Sequence, residues 1–229
     1  MTTISANLQA VLARIDKAAQ KYGRNPDDVS LLAVSKTWPA SDVREAVVAG
    51  QQAFGENYVQ EGVEKSIELA ALKLIWHFIG PLQSNKTRRI AETFDWVHSV
   101  DRLKIAERLS EQRPDGLPPL QICLQINVSG EETKSGMALS ELPQVALQVA
   151  RLPRLKLRGV MAIPAPLDDF DAQRRSFRRV RKAYEQLRGD GLVLDTLSMG
   201  MTHDLEAAIA EGATLVRVGT AIFGERNKS

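Results

Sequence analysis

Eight short apolar runs, each followed by a segment with helical periodicity, constrain the fold of this chain more than any other feature. Alternating β and α segments imply parallel strands that are joined by crossover helices. The strand-like runs lie near residues 31–35, 53–55, 75–79, 96–100, 122–127, 157–163, 194–199 and 215–218. Helices are predicted at residues 41–49, 58–72, 84–93, 102–112, 142–151, 172–188 and 204–211, with a short one at the end. A further helix precedes the first strand, because Ile4, Leu8, Val11, Leu12 and Ile15 recur at helical spacing.

The number of βα units favours a closed barrel over an open, doubly wound sheet. The open fold usually carries a glycine-rich phosphate loop directly after its first strand. Here the first strand is followed by Lys36, Thr37, Trp38 and Pro39. Barrels of roughly 250 residues are ordinary single domains, and this chain has 229 residues. The sequence therefore predicts an α/β fold: a single (β/α)8 TIM-type barrel over residues 1–229 with an extra N-terminal helix.

Composition and charge exclude several classes of protein. The net charge is +2, and hydrophobic and charged residues make up 44% and 25% of the chain, as in ordinary globular proteins. No apolar run approaches the roughly 18 residues of a membrane span, and the N-terminus lacks the layout of a secretory signal. The single cysteine, Cys123, lies in a strand-like run and is interpreted as a buried core thiol in a reducing compartment. We therefore expect a cytoplasmic protein that does not bind membranes.

One dense basic segment, residues 174–188, raises the question of nucleic-acid binding. Phe177, Val180, Tyr184 and Leu187 recur in it at helical spacing, so the arginines fall mostly on the solvent side of a helix. The segment offers no aromatic platform on which bases could stack. We interpret it as a solvated outer helix and expect no nucleic-acid partner.

Lys36 is the most informative candidate residue. It follows the apolar run LLAVS, at the end of an interior strand, where a charged side chain costs free energy unless it has a partner or a function. In a barrel, functional groups cluster at the carboxyl ends of the strands. A desolvated lysine near other cations can act as a nucleophile toward a carbonyl group and form a Schiff base. The alternative is a lysine that extends to the barrel rim without a chemical role.

The loops after the seventh and eighth strands point to an anion. Barrels often bind phosphate between these two loops, where backbone N–H groups and a helix terminus favour negative charge. Gly200 and Gly219 would allow the backbone to approach a ligand closely, and Ser198, Thr202 and Thr220 would add hydroxyl donors. Glycines that serve tight turns alone are the alternative.

Five further residues have open interpretations. Arg217, at the end of the eighth strand, could bind the anion, face a ring nitrogen, or form a structural ion pair; because arginine stays protonated, it would leave an opposing ring nitrogen unprotonated. His77 is interpreted as a neighbour of a bound ring or as a hydrogen-bonding group at a strand end. His77, His98 and His203 could together hold a metal, but no metal-binding spacing connects them, and we expect no metal site. Tyr58 could be an acid or base, or a packing residue.

Several motifs, taken together, resemble the pyridoxal phosphate homeostasis protein family. They are LLAVSKTWP, FGENYVQE, WHFIGPLQSNK, KSGM, RGVMAIP, LSMGMTHDLEAAI and VRVGTAIFG, which run in order from about residue 30 to residue 225. The resemblance implies the fold of the barrel domain of bacterial alanine racemase, that is, an alanine racemase N-terminal domain-like barrel. It also implies pyridoxal 5'-phosphate (PLP) as the cofactor.

The resemblance assigns roles to ten residues. Lys36 matches the Schiff-base lysine of the family, and Arg217 matches the arginine that faces the pyridine nitrogen. The segments that cradle the phosphate are matched by Ser198, Gly200, Met201, Thr202, Gly219 and Thr220. Asn57 and His77 match positions near the ring. Thr202 stands where serine is more often expected, and it keeps the hydroxyl; Lys134 is a candidate second amine for loading or releasing the cofactor.

Three functions are compatible with these residues. The first is a carrier that buffers PLP and supplies it, through transient contacts, to PLP-dependent apo-enzymes without catalytic turnover. The second is an amino-acid racemase, which needs a base on each face of the substrate. In alanine racemases, the second base comes from a further β domain of a partner subunit. This chain ends nine residues after Thr220, so we expect it to lack that domain and to be a monomer. Tyr58 would then have to act as the second base. The third is a cofactor-free sugar-phosphate enzyme with Lys36 as the base.

Overall fold

The computed structural model describes residues 3–128 and 135–225 and confirms the predicted barrel. Eight parallel strands close into a barrel in sequence order, so that the eighth pairs with the first. The strands are β1 (Ser30–Val34), β2 (Ala53–Glu56), β3 (Ile75–Phe78), β4 (Trp96–Val100), β5 (Leu120–Gln125), β6 (Leu155–Met161), β7 (Thr196–Ser198) and β8 (Leu215–Val218). In this fold the loops that follow the strands gather at one end, here called the carboxyl end.

Helices surround the barrel and include the extra one at the N-terminus. They are α1 (Ile4–Lys21), α2 (Ala40–Val48), α3 (Val59–Glu68), α4 (Thr87–Thr93), α5 (Leu103–Gln112), α6 (Leu142–Val149), α7 (Phe170–Gly189), α8 (Leu205–Ala210) and α9 (Thr220–Phe223). The helix predicted over residues 58–72 ends at Glu68, because the chain tightens into a 3-10 turn and Lys73 adopts a left-handed conformation with φ of 51°. No helix in the described part of the chain is long and apolar enough to cross a membrane.

Successive side chains along each strand point alternately outward, toward the helices, and inward. Residues such as Leu31, Ala33, Val216 and Val218 face outward and pack with the helices in the main hydrophobic core. Their neighbours face the barrel interior. A 2.9 Å hydrogen bond between His98 of β4 and a side chain of β7 shows this directly, because these strands are not neighbours in the sheet and the bond must cross the interior. The barrel interior therefore contains buried polar side chains, among them His77, His98 and Ser198.

The basic helix α7 has a structural role that its sequence did not indicate. Most of its arginines face solvent, as predicted, while its apolar stripe is buried. Three of them, Arg174, Arg178 and Arg181, also pair with Glu211 at N–O distances of 2.8, 2.9 and 3.3 Å. The Glu211 carboxylate is fully buried beneath them. Part of the positive charge of α7 is thus used to attach it to the end of α8.

Cys123 is fully buried, as predicted. Burial raises the pKa of its thiol to about 12, so the thiol is protonated and unreactive at neutral pH.

Candidate functional site

A cavity of about 220 Å³ opens at the carboxyl end of the barrel. It brings together seven of the ten residues predicted for the site, namely Lys36, Asn57, Met201, Thr202, Arg217, Gly219 and Thr220. Val34, Ile79 and Ile163 supply apolar walls, and His203 completes the rim. A half-buried amine, a buried guanidinium and several hydroxyl and backbone groups thus face one small volume.

The other three predicted residues do not line this cavity. Ser198 and Gly200 are buried directly behind it. His77 lies deeper, and its side chain lines a separate cavity at the opposite, amino end of the barrel. The reason is the alternation along β3: Ile79 is the residue that reaches the carboxyl-end cavity, and His77 is one interior layer below it. Lys134 lies outside the described residues.

The loop that carries Lys36 is fixed by a buried ionic network. The Ser35 hydroxyl donates to Glu56 Oε1 at 2.6 Å. Lys65 Nζ donates to the same Glu56 oxygen at 2.8 Å and to the Ser35 carbonyl at 2.7 Å. Both Glu56 and Lys65 are almost completely buried. Burial raises the pKa of Glu56, and the ammonium of Lys65 opposes that rise. The charge of each residue therefore depends on the presence of the other.

The same network reaches the other side of Lys36. Lys65 Nζ also donates to Glu61 Oε1 at 2.6 Å, and that oxygen accepts the backbone N–H of Thr37 at 2.6 Å. Thr37 is held with φ of 69°, a conformation that a residue other than glycine adopts only when its surroundings impose it. Lys36 therefore sits between two residues that the network holds in place.

Arg217 is a buried cation whose hydrogen-bond partners are neutral. Its Nη1 donates to the carbonyl and the hydroxyl of Ser198 at 2.8 and 2.7 Å, and its Nη2 donates to the Ala162 carbonyl at 3.0 Å. Burial lowers the pKa of Arg217 to about 10, and the charge of Asp204 partly offsets this effect. Arg217 stays protonated at neutral pH and presents positive charge to the cavity.

Two buried histidines continue this arrangement into the barrel. His98 Nδ1 lies 2.9 Å from Ser198 Oγ, and His98 Nε2 lies 2.9 Å from His77 Nδ1. Burial lowers the pKa of His77 to about 3 and, with the nearby charges of His77 and Arg217, lowers the pKa of His98 well below its usual value. His203 is on the rim of the carboxyl-end cavity. Within residues 3–128 and 135–225, no three potential metal ligands come together.

The loop after β7 is shaped by one glycine. Gly200 has φ of 95°, and a Cβ atom there would lie 2.5 Å from Cβ of Ala208. Its carbonyl accepts the backbone N–H of Arg217 at 2.9 Å. The next residue, Met201, donates its N–H to Asp204 Oδ1 at 2.6 Å. These contacts hold Met201 and Thr202 against the cavity.

Asn57 offers polar capacity that the protein itself does not use. Its Oδ1 atom is buried, and no hydrogen-bond donor of the described residues reaches it. Its backbone packs directly against Gly80, where only glycine fits, because a Cβ atom on Gly80 would lie 2.1 Å from the Asn57 carbonyl oxygen. Since buried polar atoms are nearly always hydrogen-bonded, this oxygen indicates that a ligand or water completes the site.

Comparison with known proteins identifies the family. Residues 6–227 match the model of the alanine racemase N-terminal domain. The pyridoxal phosphate homeostasis protein of Pseudomonas aeruginosa is 63% identical over 227 residues, which cover 99% of this chain and 97% of that relative. This chain belongs to the pyridoxal phosphate homeostasis protein family.

Solved structures agree with the family assignment. PipY of Synechococcus elongatus, solved with PLP bound, is 40% identical to this family member, with a TM-score of 0.81, 92% of this chain covered and 100% of PipY. Alanine racemase of Corynebacterium glutamicum is 17% identical with a TM-score of 0.70; the match covers 96% of this chain and 62% of the racemase. The second likeness shows the shared barrel fold alone.

Sequence reasoning missed the network that holds the Lys36 loop in this homeostasis-family chain. Glu56 directly follows the strand predicted at residues 53–55, and Glu61 and Lys65 are four residues apart on a predicted helix. Both were available signals, since a carboxylate at a strand end and a spacing of four residues predict ion pairing. The sequence did not indicate that the first turns of α3 fold back over the end of β1.

Proposed function

We propose that this protein holds PLP covalently on the Lys36 amine and serves intracellular vitamin B6 homeostasis without catalytic turnover. The observation that carries the proposal is the cavity that Lys36, Arg217 and Asn57 line together; the buried Oδ1 atom of Asn57 has no hydrogen-bond partner among the described residues. PLP supplies a reactive aldehyde, a pyridine ring and a phosphate. The residues that would hold it are Lys36, Asn57, Met201, Thr202, Arg217, Gly219 and Thr220, with Ser198 and Gly200 behind them and His77 deeper still.

The cavity fits this cofactor on three grounds. Lys36 provides an amine at the mouth, on a loop that the Glu56–Lys65 pair fixes. Thr202 and Thr220 place hydroxyl groups at the loops where barrels commonly bind phosphate. Asn57 Oδ1 is an acceptor that requires a donor. Together these groups match an aldehyde, a phosphate and a polar ring substituent.

The role of Arg217 supports holding the cofactor over using it. A guanidinium cannot give up its proton, so opposite a pyridine nitrogen it leaves that nitrogen unprotonated. The ring is then a weaker electron sink, and carbanion chemistry depends on that sink. Arg217 thus orients the ring and restrains its reactivity.

The racemase alternative assigns its second base to Tyr58, which does not line the cavity that contains Lys36. Tyr58 is 56% exposed and lines a neighbouring outer cavity, beside Gln60 and Arg89, instead of the one that contains Lys36. Racemisation needs an acid or base on each face of the α-carbon. We therefore propose a non-enzymatic carrier that acts in the cytoplasm as a single-domain monomer over residues 1–229 and meets PLP-dependent apo-enzymes transiently.

The decisive experiment is reduction of the purified protein with borohydride, followed by peptide mapping. We expect a yellow protein whose visible absorption disappears on reduction and whose adduct maps to Lys36. Lys36→Arg keeps the charge and removes the nucleophilic amine, so it should give no adduct. Lys86→Arg, at an exposed lysine of the neighbouring outer cavity, is the matched control and should label normally.

Two outcomes would contradict the proposal. An adduct on another lysine would move the cofactor away from this cavity. Racemisation of alanine by the pure protein, abolished by Tyr58→Phe, would replace the carrier with an enzyme.

A further inference from the structure

A continuous polar chain crosses the barrel interior from Arg217 toward the amino end. Arg217 Nη1 contacts Ser198 Oγ, which contacts His98 Nδ1, and His98 Nε2 contacts His77 Nδ1. All four side chains are at least nine-tenths buried. The chain joins β8, β7, β4 and β3, so it is a feature of the closed barrel and not of any local motif.

The donors and acceptors of these side chains allow the hydrogen bonds of the polar chain to run in one direction only. Arg217 can only donate, so Ser198 Oγ is an acceptor in that contact. The Ser198 hydroxyl then keeps its own hydrogen for one further bond, and His98 Nδ1 is the remaining contact that the described residues supply. If Nδ1 is the acceptor, a neutral His98 carries its hydrogen on Nε2 and donates to His77 Nδ1, which leaves the His77 hydrogen on Nε2 as well.

The reverse direction fails at the serine. It would place a hydrogen on His98 Nδ1, and Ser198 Oγ would then accept from both Arg217 and His98. The hydroxyl hydrogen would be buried without an acceptor, which native structures avoid. Doubly protonated rings are disfavoured as well, because burial lowers the pKa of both histidines.

We propose that His98 is a positioning residue for Arg217: by accepting the Ser198 hydroxyl hydrogen it turns the serine oxygen toward the guanidinium, and His77 holds His98 in the tautomer that this requires. The direction of the hydrogen bonds follows from the four contacting side chains alone. Its consequence for the cofactor rests on the proposed function, since Arg217 is the group expected to face the pyridine ring.

The reason that Arg217 needs such support lies in its partners. They are neutral oxygens, two carbonyls and one hydroxyl, and no carboxylate contacts it within the described residues. A hydroxyl group rotates freely unless its hydrogen is bound, and a rotated hydroxyl would point its hydrogen at the guanidinium. His98 removes that freedom, so the guanidinium plane has one favoured position relative to the cavity.

Nitrogen NMR of the histidine rings tests the direction without any cofactor. In the full-length protein, we expect His98 and His77 to be neutral and to carry hydrogen on Nε2 at pH 7. In Ser198→Ala the donor to Nδ1 is gone, and the His98 ring resonances should shift toward a mixture of tautomers. A wild-type His98 with its hydrogen on Nδ1 would overturn the proposal.

Cofactor titration tests the consequence. We expect His98→Leu to raise the dissociation constant of PLP roughly tenfold, the lower end of the range for residues that orient a ligand-binding group. His98→Gln keeps one acceptor and one donor, and should restore binding to within about threefold of wild type. Cys123→Ala, another buried strand residue outside the polar chain, should change it less than twofold.

The failures of the two proposals are distinguishable. A wild-type protein that binds no PLP, yet has both histidines in the Nε2–H form, would refute the proposed function and leave the hydrogen-bond direction standing. Normal binding by His98→Leu, with folding confirmed by thermal unfolding, would refute the positioning role and leave PLP binding intact. If His98→Leu does not fold, the PLP affinity of His98→Gln relative to wild type and the NMR measurement of the His98 tautomer test the positioning role instead.

Discussion

The two ends of the barrel each carry a cavity, and they differ in how their polar groups are satisfied. The amino-end cavity is larger, at about 570 Å³, and contains Arg24, Arg158 and Asp195. Two of these charges already pair with each other: Arg158 makes a two-point contact with Asp195 at 2.8 and 2.6 Å. Arg24 donates to the carbonyl oxygen of Ile209 at the end of α8 and to that of Ala213 in the following loop.

The carboxyl-end cavity is smaller, at about 220 Å³, yet its polar groups are incompletely satisfied. Arg217 has neutral partners, and Asn57 Oδ1 has none among the described residues. Unmet hydrogen-bonding capacity therefore distinguishes the two ends better than volume does. A site that has satisfied its own charges gains little from a ligand, whereas one that has not gains the energy of each completed bond.

The two buried histidines between the ends of the barrel give the largest expected effect, a loss of stability in mild acid. The folded-state pKa of His77 is about 3, and that of His98 is also well below 6.5. Below pH 6.5 the unfolded state binds protons that the folded state cannot, so stability falls as pH falls. Between pH 6.5 and 4.5 we expect His77 alone to contribute a loss of roughly 2 kcal/mol in the free energy of unfolding, and His98 to add to that loss in the same direction.

Urea denaturation across that pH range measures this loss. Other groups titrate there as well, so the comparison is with a double variant, His77→Gln with His98→Gln, in which the pH dependence should be shallower by that amount. An equal slope in both proteins would mean that the two rings bind protons in the folded barrel as readily as they do in the unfolded chain.

The network beneath Lys36 should give the next largest effect. Lys65→Met leaves the Glu56 carboxylate buried without its cation, and breaking one side of a buried pair costs about 3–5 kcal/mol. We expect that loss in the free energy of unfolding, together with weaker PLP retention, because Ser35 loses its contact. Lys104→Met, at an exposed position of α5, is the control and should change stability by less than about 0.5 kcal/mol.

Adding Glu56→Gln to Lys65→Met sharpens this test. The second substitution removes the uncompensated charge, so part of the lost stability should return. If the double variant is no more stable than Lys65→Met, the damage comes from lost packing and not from the charge of Glu56.

The sequence predicted the barrel, and seven of the ten residues predicted for the site line one cavity, but the sequence did not predict the depth of each residue in the barrel. Strand and helix periodicity is local, so the eight βα units were visible from the chain alone. Alternation also assigns His77 to one face of its strand. It does not give the depth of His77 along the barrel axis, because that depth depends on the stagger between neighbouring strands. The Glu56–Lys65 pair was missed for a related reason: a charged residue on a predicted helix is usually assigned to solvent, and only the tertiary fold shows that this one is covered.

Gly200 gives a third test at the carboxyl end. Gly200→Ala imposes a left-handed conformation on alanine and places a methyl group 2.5 Å from Cβ of Ala208. We expect a loss of about 2 kcal/mol in the free energy of unfolding and a weaker affinity for inorganic phosphate, because the loop that carries Thr202 must move. Gly116→Ala has an open surrounding and should be nearly neutral; equal effects of the two substitutions would show that the loop shape is not specific.

The smallest expected effect belongs to the amino end and can break the comparison between the two cavities. Arg158→Ala removes the contact with Asp195 and the stacking of the guanidinium on Trp96, whose ring centroid lies 4.6 Å away. Because the pair is partly exposed, with Asp195 57% accessible, we expect a loss of about 1 kcal/mol in the free energy of unfolding. The dissociation constant of PLP should stay within about twofold of wild type, since this end has no direct contact with the carboxyl-end cavity. His77 stacks on the same Trp96 ring, however, at a centroid distance of 5.2 Å. A several-fold loss of affinity in Arg158→Ala would therefore mean that a disturbance at the amino end reaches Arg217 through the histidines, and that the two cavities act as one system.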